Sequence, residues 1–320
     1  MLATIKNRRE LEANRLNVTP DVAELLFTTD DKKLYVGDGT TAGGILISDN
    51  AFITEDMTLN VPAEYADINE ALDFLSAFRI KDNAIVTIQV ADGTYTYTEE
   101  IVINHPDSAN LKIIGNETNP TACTIWNPVS NNVISINKRE LGYISGFKIL
   151  GHNDEVNYPL NGQTVYRRGL MVSNNSGVVA GKLEAHNCFR GIEVSNISQL
   201  TINSYTASYN SESGLLTDMG SLSQISGSCS ITSNSIGLFA NGNSVIIANK
   251  SSMITQSNTT YGVYCINQSE VFIDHATATG NTTKDLYAAN SGFIEAVGTT
   301  YSTLSPAINT QGNHLGYIRN

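Results

Sequence analysis

The chain has 320 residues, 41% hydrophobic and only 16% charged, with 19 Lys and Arg against 31 Asp and Glu for a formal net charge of −12. That apolar content suffices for a packed core and excludes a disordered chain, and the acidic balance excludes nucleic acid as a partner, since nothing is left to neutralise a phosphate backbone. Ser, Thr, Asn and Gly fill the place of the missing charges and suit strands, tight turns and ladders better than helices, so the composition points to an all-β protein.

The start, MLATIKNRRELEANRL, is basic but leads into no apolar run, and no stretch of about 18 apolar residues follows anywhere, so neither a secretion signal nor membrane insertion is expected. Residues 1–50 read as a small β module, in which the apolar runs of AELLFTTDDKKLYVGDGTTAGGILI flank a turn at Asp30–Asp31 and a second turn follows at Asp38–Gly39. The stretch KLYVGDGTTAGG resembles a phosphate cradle only at its glycines. The Gly-Lys-Ser/Thr that would open a helix is missing, which leaves turns. Residues 51–66 read as a linker. In DINEALDFLSAF, Ile68, Ala71, Leu72 and Leu75 recur at helical spacing behind Asp67, a good N-cap, and predict one short helix over 67–78.

From residue 84 the chain reads as short strands and turns with no second helical pattern, the cadence of a sandwich, a barrel or a solenoid. A fixed period decides between them. Asn187, Asn210, Asn234, Asn258 and Asn281 are spaced by 23, 24, 24 and 23, and each is followed within four residues by Gly191, Gly214, Gly237, Gly262 or Asp285. The next residue is always apolar: Ile192, Leu215, Leu238, Val263, Leu286. A second apolar ladder follows at Ile202, Ile225, Ile273 and Ala296, with Ile247 one residue early. Such a repeat predicts a single-stranded parallel β-helix over 67–305, its coils stacked at about 4.8 Å, with the helix capping the open N-terminal end and a tail at 306–320. Cys123, Cys188, Cys229 and Cys265, separated by 65, 41 and 36 residues, match neither a zinc cluster nor a disulfide framework and read as buried thiols. The five histidines show no ligand spacing, so no metal and no cofactor is expected.

Two resemblances extend this reading. VTIQVADGTYTYTEEIVINHPDSANLKIIGN, after YADINEALDFL, resembles the opening coils and cap helix of the pectin-lyase-like right-handed parallel β-helix. The resemblance implies the fold; the active-site segments of pectin methylesterases and the calcium-binding aspartates of pectate lyases are not present. IKNRRELEANRLNVTPDVAELLFTTDDKKLYVGDGTTAGG is similar to the N-terminal module of phage tail fibres and spikes related to the major tropism determinant, through Arg8, Arg9, Glu24, Asp30, Lys33, Gly37, Asp38, Gly39 and Thr40. That resemblance implies an intertwined homotrimer that attaches to other phage tail or baseplate proteins through residues 1–50, in a virion assembled from protein made in the host cytoplasm.

The β-helix then carries the candidate sites. Two residues after the coil glycine come Glu193, Leu216, Phe239, Tyr264 and Tyr287; if the preceding ladder faces inward, strand alternation sends them outward and leaves an aromatic stripe that serves as a subunit interface or as a platform for bacterial surface polysaccharide, and with the opposite phase the rings stack inside the coil. Glu193 and Asp218, one coil and two residues apart, come to roughly 8 Å, inside the window of about 5 to 9.5 Å used by glycosidase carboxylate pairs. The loop GHNDEVNYPLNGQTVYRRG breaks the coil rhythm and offers Asp154, Glu155, Arg167 and Arg168 as glycan contacts. Three functions stay open: a receptor-binding tail fibre or tailspike that only binds host glycan, a depolymerase that hydrolyses it, and a structural baseplate or decoration protein.

Overall fold

A computed structural model describes residues 7–30, 33–47, 51–151, 167–248, 252–308, 310–311 and 315–320, and the chain divides into two units, residues 1–52 with 77–79 and residues 53–76 with 80–320. The smaller holds a four-stranded sheet in the order Asn7–Glu10, Leu25–Thr28, Leu34–Val36, Ile45–Leu46, whose first pair is parallel and the rest antiparallel. A single helical turn at Glu12–Arg15, unannounced by the sequence, is fixed by Arg15, which lies 4.2 Å over the Tyr35 ring and pairs with Glu12 at 2.9 Å.

The glycine-rich stretch is a turn built around Asp38. Its carboxylate accepts from the Thr40 and Thr41 backbone N–H groups at 2.8 and 2.6 Å and from the Thr41 hydroxyl at 2.7 Å. Those bonds, the Thr41 hydroxyl first, hold the carboxyl far below its usual range, so the centre of this loop is a fixed anion and no cradle for one. Gly39, Gly43 and Gly44 take φ of +80°, +80° and +69°, the left-handed region glycine tolerates. Gly37 is glycine for space: a Cβ there would meet the Pro20 carbonyl at 2.6 Å. Arg8 pairs with Glu24 at 3.3 Å, Asp30 accepts from Glu12 N–H at 3.0 Å, Lys33 N–H donates to Thr28 Oγ1 at 3.1 Å, and Arg9 is exposed. Among this unit's described residues the large apolar side chains that are buried are Leu26 and Tyr35, while Leu11, Leu16, Val22, Ile45 and Ile47 are exposed.

The larger unit is an all-β parallel β-helix, whose coils contribute strands to a nine-stranded front sheet and to an 18-stranded sheet that covers the rest of the coil. The front sheet stacks nine parallel strands, from Ile101–Ile103 through Asn132–Asn137, Arg168–Ser173, Arg190–Ser195, Ser213–Thr217, Ile236–Ala240, Tyr261–Cys265 and Lys284–Ala288 to Leu304–Ser305. The expected ladder Ile192, Leu215, Leu238, Val263, Leu286 is in register and fully buried. The second ladder also forms, with one correction: Ala248, not Ile247, stands inside between Ile225 and Ile273, so the early position is an outward residue. The helix spans Ile68–Leu75, its N-cap Asp67 accepting from Glu70 N–H at 3.0 Å, with Ile68, Ala71, Leu72 and Leu75 buried. Two stretches read as linker and tail contain strands of the β-helix: Met57–Val61 pairs with Val86–Val90, and Tyr317–Arg319 with Phe293–Glu295. Both are too short to show a period. The four cysteines are buried and free, and burial pushes each thiol up to about 12.

Two corners of each coil are held by side-chain ladders. At one, Asn234 Oδ1 accepts from Asn210 N–H at 3.0 Å and from Asn210 Nδ2 at 2.8 Å, and Asn258 and Asn281 repeat the pattern upward. Asn187 is not the first member: it is exposed with φ +54°, and the buried Cys188 takes the place, donating its N–H to Asn210 Oδ1 at 3.0 Å. At the other corner Ser198, Ser221, Ser244 and Ser269 each accept, through Oγ, the N–H of the serine one coil earlier at 3.1–3.2 Å. Two residues in the left-handed region precede each of these serines, for example Asn196–Ile197 and Gly242–Asn243, which is how the chain rounds the corner.

Candidate functional site

The front sheet presents two outward columns three residues apart. One runs Arg168, Arg190, Ser213, Ile236, Tyr261, Lys284, and the other Met171, Glu193, Leu216, Phe239, Tyr264, Tyr287, Ser305, each in parallel register. Identity along the columns changes from ionic to aromatic, and between the two ends Ser213 and Leu216 are buried, 0% and 1% exposed.

At the ionic end Glu193 is 5% exposed. Its Oε2 accepts from Arg168 Nε and, at 2.6 Å, from Arg190 Nη1. Arg190 also forks onto Glu212, through Nε and through Nη2 at 3.1 Å, and Arg168 reaches Asn132 at 3.3 Å. Burial works against the charge of Arg190, but Glu212 and Glu193 outweigh it and hold its pKa above the ordinary arginine value. Asp218 is a separate carboxylate, accepting from Met219 N–H at 2.8 Å and Asn241 Nδ2 at 3.0 Å. Burial pushes its carboxyl up, with the Met219 N–H and Arg190 opposing and Glu193 adding to the rise.

Asp218 starts an outer amide chain. Asn267 Nδ2 donates to Asn241 Oδ1 at 2.7 Å, and Asn290 Nδ2 to Asn267 Oδ1 at 3.2 Å. Beside it stand the rings. Phe239 and Tyr264 stack at 4.8 Å and 21°, Tyr261 and Tyr264 at 4.7 Å and 23°, while Tyr287 tilts by 32° from Tyr261 and 52° from Tyr264. The inner rings therefore cover one another's faces and turn edges and hydroxyls outward. Tyr287 ends the column, and its register partner on the next coil is Ser305, too small to cover a ring. Burial raises the Tyr261 and Tyr264 hydroxyls above their usual value, so they remain hydrogen-bond donors at neutral pH.

Sequence-derived candidates fall into place as follows. Phe239, Tyr264 and Tyr287 form the outward stripe, joined by Tyr261, which the sequence reading passed over although it precedes Tyr264 by the interval that separates Arg190 from Glu193. Arg168, assigned to a loop, opens a front strand and meets Glu193, so two candidate sites are one. Arg167 is buried, 5% exposed. Asp154 and Glu155 lie outside the described residues. Arg190, Glu212 and the outer asparagines were missed; contacts between coils join residues 22 or more apart, and no local pattern marks them. Among the described residues no group of His, Cys, Asp and Glu is placed to hold a metal.

Residues 5–41 match the family model of the major tropism determinant N-terminal domain. No curated protein and no solved structure matches the chain. The matched segment contains Arg8, Arg9, Asp30, Lys33, Gly37, Asp38, Gly39 and Thr40 and supports a phage tail fibre-like protein with a role in tropism.

Proposed function

We propose that the protein is a virion-borne, homotrimeric receptor-binding tail fibre or tailspike protein, mounted through residues 1–50 and contacting bacterial surface polysaccharide with the front sheet of its β-helix. The match of residues 5–41 carries the tail assignment. The trimer is supported by the five exposed large aliphatic side chains of a module that buries only two large apolar ones, an imbalance that association with copies of itself relieves. The glycan assignment is supported by Tyr287, whose register partner Ser305 has no ring to stack on it, by the tyrosine hydroxyls and by the adjoining amide chain, which suit the apolar faces and hydroxyls of a sugar. Three such sites on one trimer turn weak affinity into firm attachment through effective concentration.

Hydrolysis of the same polymer is the second reading, favoured by Asp218, whose raised pKa suits a general acid. Glu193 fits its half of the pair less well, because the oxygen it would offer already serves two guanidinium groups. One experiment tests both: purified protein is mixed with host surface polysaccharide, and molecular mass, retention and new reducing ends are measured. Retention by a trimer without new ends is expected. New ends that disappear in Glu193→Gln or Asp218→Asn establish hydrolysis, a monomeric mass removes the trimer, and absence of retention leaves the aromatic stripe as an assembly surface.

A further inference from the structure

Away from the front sheet, another face of the coil gathers a hydroxyl, an imidazole and a carboxylate. Glu184 and His186 lie two residues apart on the strand Gly177–His186 and so share its outward side, and parallel register sets Ser208, the last residue of Gln199–Ser208, beside His186 one coil on. Ser208 Oγ is 2.7 Å from His186 Nδ1, and His186 Nε2 is 3.5 Å from Glu184 Oε2, which also accepts from Thr121 Oγ1 at 3.0 Å. Asn187 and Tyr209 follow the two strand ends at φ +54° and +58°, so the cluster sits where the coil turns its corner. The histidine and glutamate side chains keep 15% and 18% of their surface, and Ser208 keeps 9%.

We propose that this cluster is an acyl-transfer site acting on carboxylic esters, with Ser208 as nucleophile, His186 as general base and Glu184 as the residue that positions the imidazole. With Nδ1 accepting from the hydroxyl, the neutral ring carries its proton on Nε2, toward Glu184, the tautomer this arrangement needs. Burial holds His186 below its ordinary pKa, Glu184 pulls the other way, and Lys148 adds to the depression, so the ring is an unprotonated base at neutral pH. Ser208 Oγ bonds to the acyl carbon as its proton passes to Nδ1, and the ester C–O bond breaks as that proton goes to the departing alcohol oxygen. Water then attacks the acyl-serine, its proton passes to His186, and the carboxylic acid leaves as Ser208 recovers its proton. Thr232, in register with Ser208 on the side away from His186, supplies a hydroxyl for the developing charge on the acyl oxygen.

An ester fits better than an amide, because an alcohol leaves more readily than an amine and one hydroxyl donor gives modest stabilisation. The surrounding outward residues Thr206, Ser230 and Thr232 are hydroxylic, which favours a small acyl group on a polar alcohol, as on an O-acylated sugar, over a lipid ester. The site shares no residue with the front sheet and stands independently of the receptor-binding reading.

The test treats the full chain with a fluorophosphonate probe, which reacts with activated serines, maps adducts by peptide mass spectrometry, and follows p-nitrophenyl acetate hydrolysis in parallel. Labelling of Ser208 well above its neighbour Ser230 is expected in the unaltered protein. His186→Asn is expected to lower it by about 100-fold or more. In Glu184→Gln the pH midpoint of labelling is expected to fall, because the carboxylate that raises the His186 pKa is gone while Lys148 still lowers it; a fold defect alone does not move that midpoint. Ser226→Ala, at an exposed serine outside the cluster, is expected to change neither readout. Labelling of Ser208 no greater than that of Ser230, or ester hydrolysis unchanged in Ser208→Ala, overturns the proposal.

Discussion

Asp285 Oδ1 accepts both the backbone N–H of Asn281, at 3.1 Å, and its side-chain amide, at 2.8 Å, filling in the last coil the place that the next asparagine fills in each coil before it. Its Oδ2 accepts the Ser302 and Thr303 N–H groups at 2.8 Å each. The asparagine ladder thus ends on a group that only accepts, which is why the glycine position of this coil holds an aspartate.

That arrangement sets an acid response. Burial alone would raise the Asp285 pKa, but the bonds from Asn281, Ser302 and Thr303 win and lower it. A carboxyl lowered on folding contributes stability that is complete above its unfolded pKa of about 4 and is lost as pH falls through the folded value. In urea titrations from pH 6 down to 2, the fall in midpoint below pH 4 is therefore expected to be shallower in Asp285→Asn. The variant is also expected to be weaker at pH 6, because its amide turns a donor toward the Ser302 and Thr303 N–H groups. An identical slope in the two proteins removes Asp285 as a source of acid sensitivity.

The buried asparagine ladder carries a larger share of stability than exposed strand positions. Asn234→Ala strands the buried N–H of Asn210 and leaves its Nδ2 with only the Ala185 carbonyl, at a cost of about 1–3 kcal/mol. Urea unfolding is expected to show that loss together with faster hydrogen exchange at the Asn210 amide. Thr201→Ala, at an exposed site, is expected to stay within about 0.5 kcal/mol of the parent.

Gly237 is fixed by space, not by its dihedral angles. A Cβ there would stand 2.1 Å from Thr255 Oγ1, 2.5 Å from the Gly262 carbonyl oxygen and 3.1 Å from Asn258 Nδ2, pressing on three groups of the neighbouring coil at once. Gly237→Ala is expected to cost about 1–3 kcal/mol by overpacking, read as a lowered thermal midpoint. A midpoint at or above that of the parent would show that the corner has room the geometry denies it.

The ring column separates packing from recognition. Tyr264 stacks on Phe239 and Tyr261, so Tyr264→Ala is expected to lower stability by about 1–3 kcal/mol and to weaken glycan retention with it. Tyr287, with one face toward Ser305, is expected to lose retention several-fold on change to Ala while its melting curve shifts far less. Equal melting losses in the two variants, with retention intact, would place the stripe among packing elements.

The strand rhythm, the cap helix and the inward ladders are legible in the chain because each repeats a strong local signal: Ile192, Leu215, Leu238, Val263 and Leu286 are all apolar and all follow the glycine position. Counting residues fails where coil length varies. The ladder step from Cys188 to Asn210 is 22 residues and the next is 24, so the regular spacing drew attention to Asn187 in place of Cys188. The serine ladder went unseen because serine is too common here for Ser198, Ser221, Ser244 and Ser269 to stand out. Of the candidate site, the outward aromatic residues could be read from alternation. The bond of Glu193 to Arg168 could not, since it depends on which long side chain bends toward which across stacked coils, and its bond to Arg190 joins residues three apart on one strand, an interval that plain alternation assigns to opposite faces.

Asp285 also divides the chain by how its length can vary. Before it, each asparagine accepts through Oδ1 the two donors of the coil below and presents its own N–H and Nδ2 to the coil above, so a whole unit of 23 or 24 residues can be inserted or removed with every corner bond restored. After it no such exchange exists, because the carboxylate offers no donor upward. Variation in the reach of this protein is therefore confined to whole steps on the N-terminal side of residue 285, each adding one rung of about 4.8 Å to the front face.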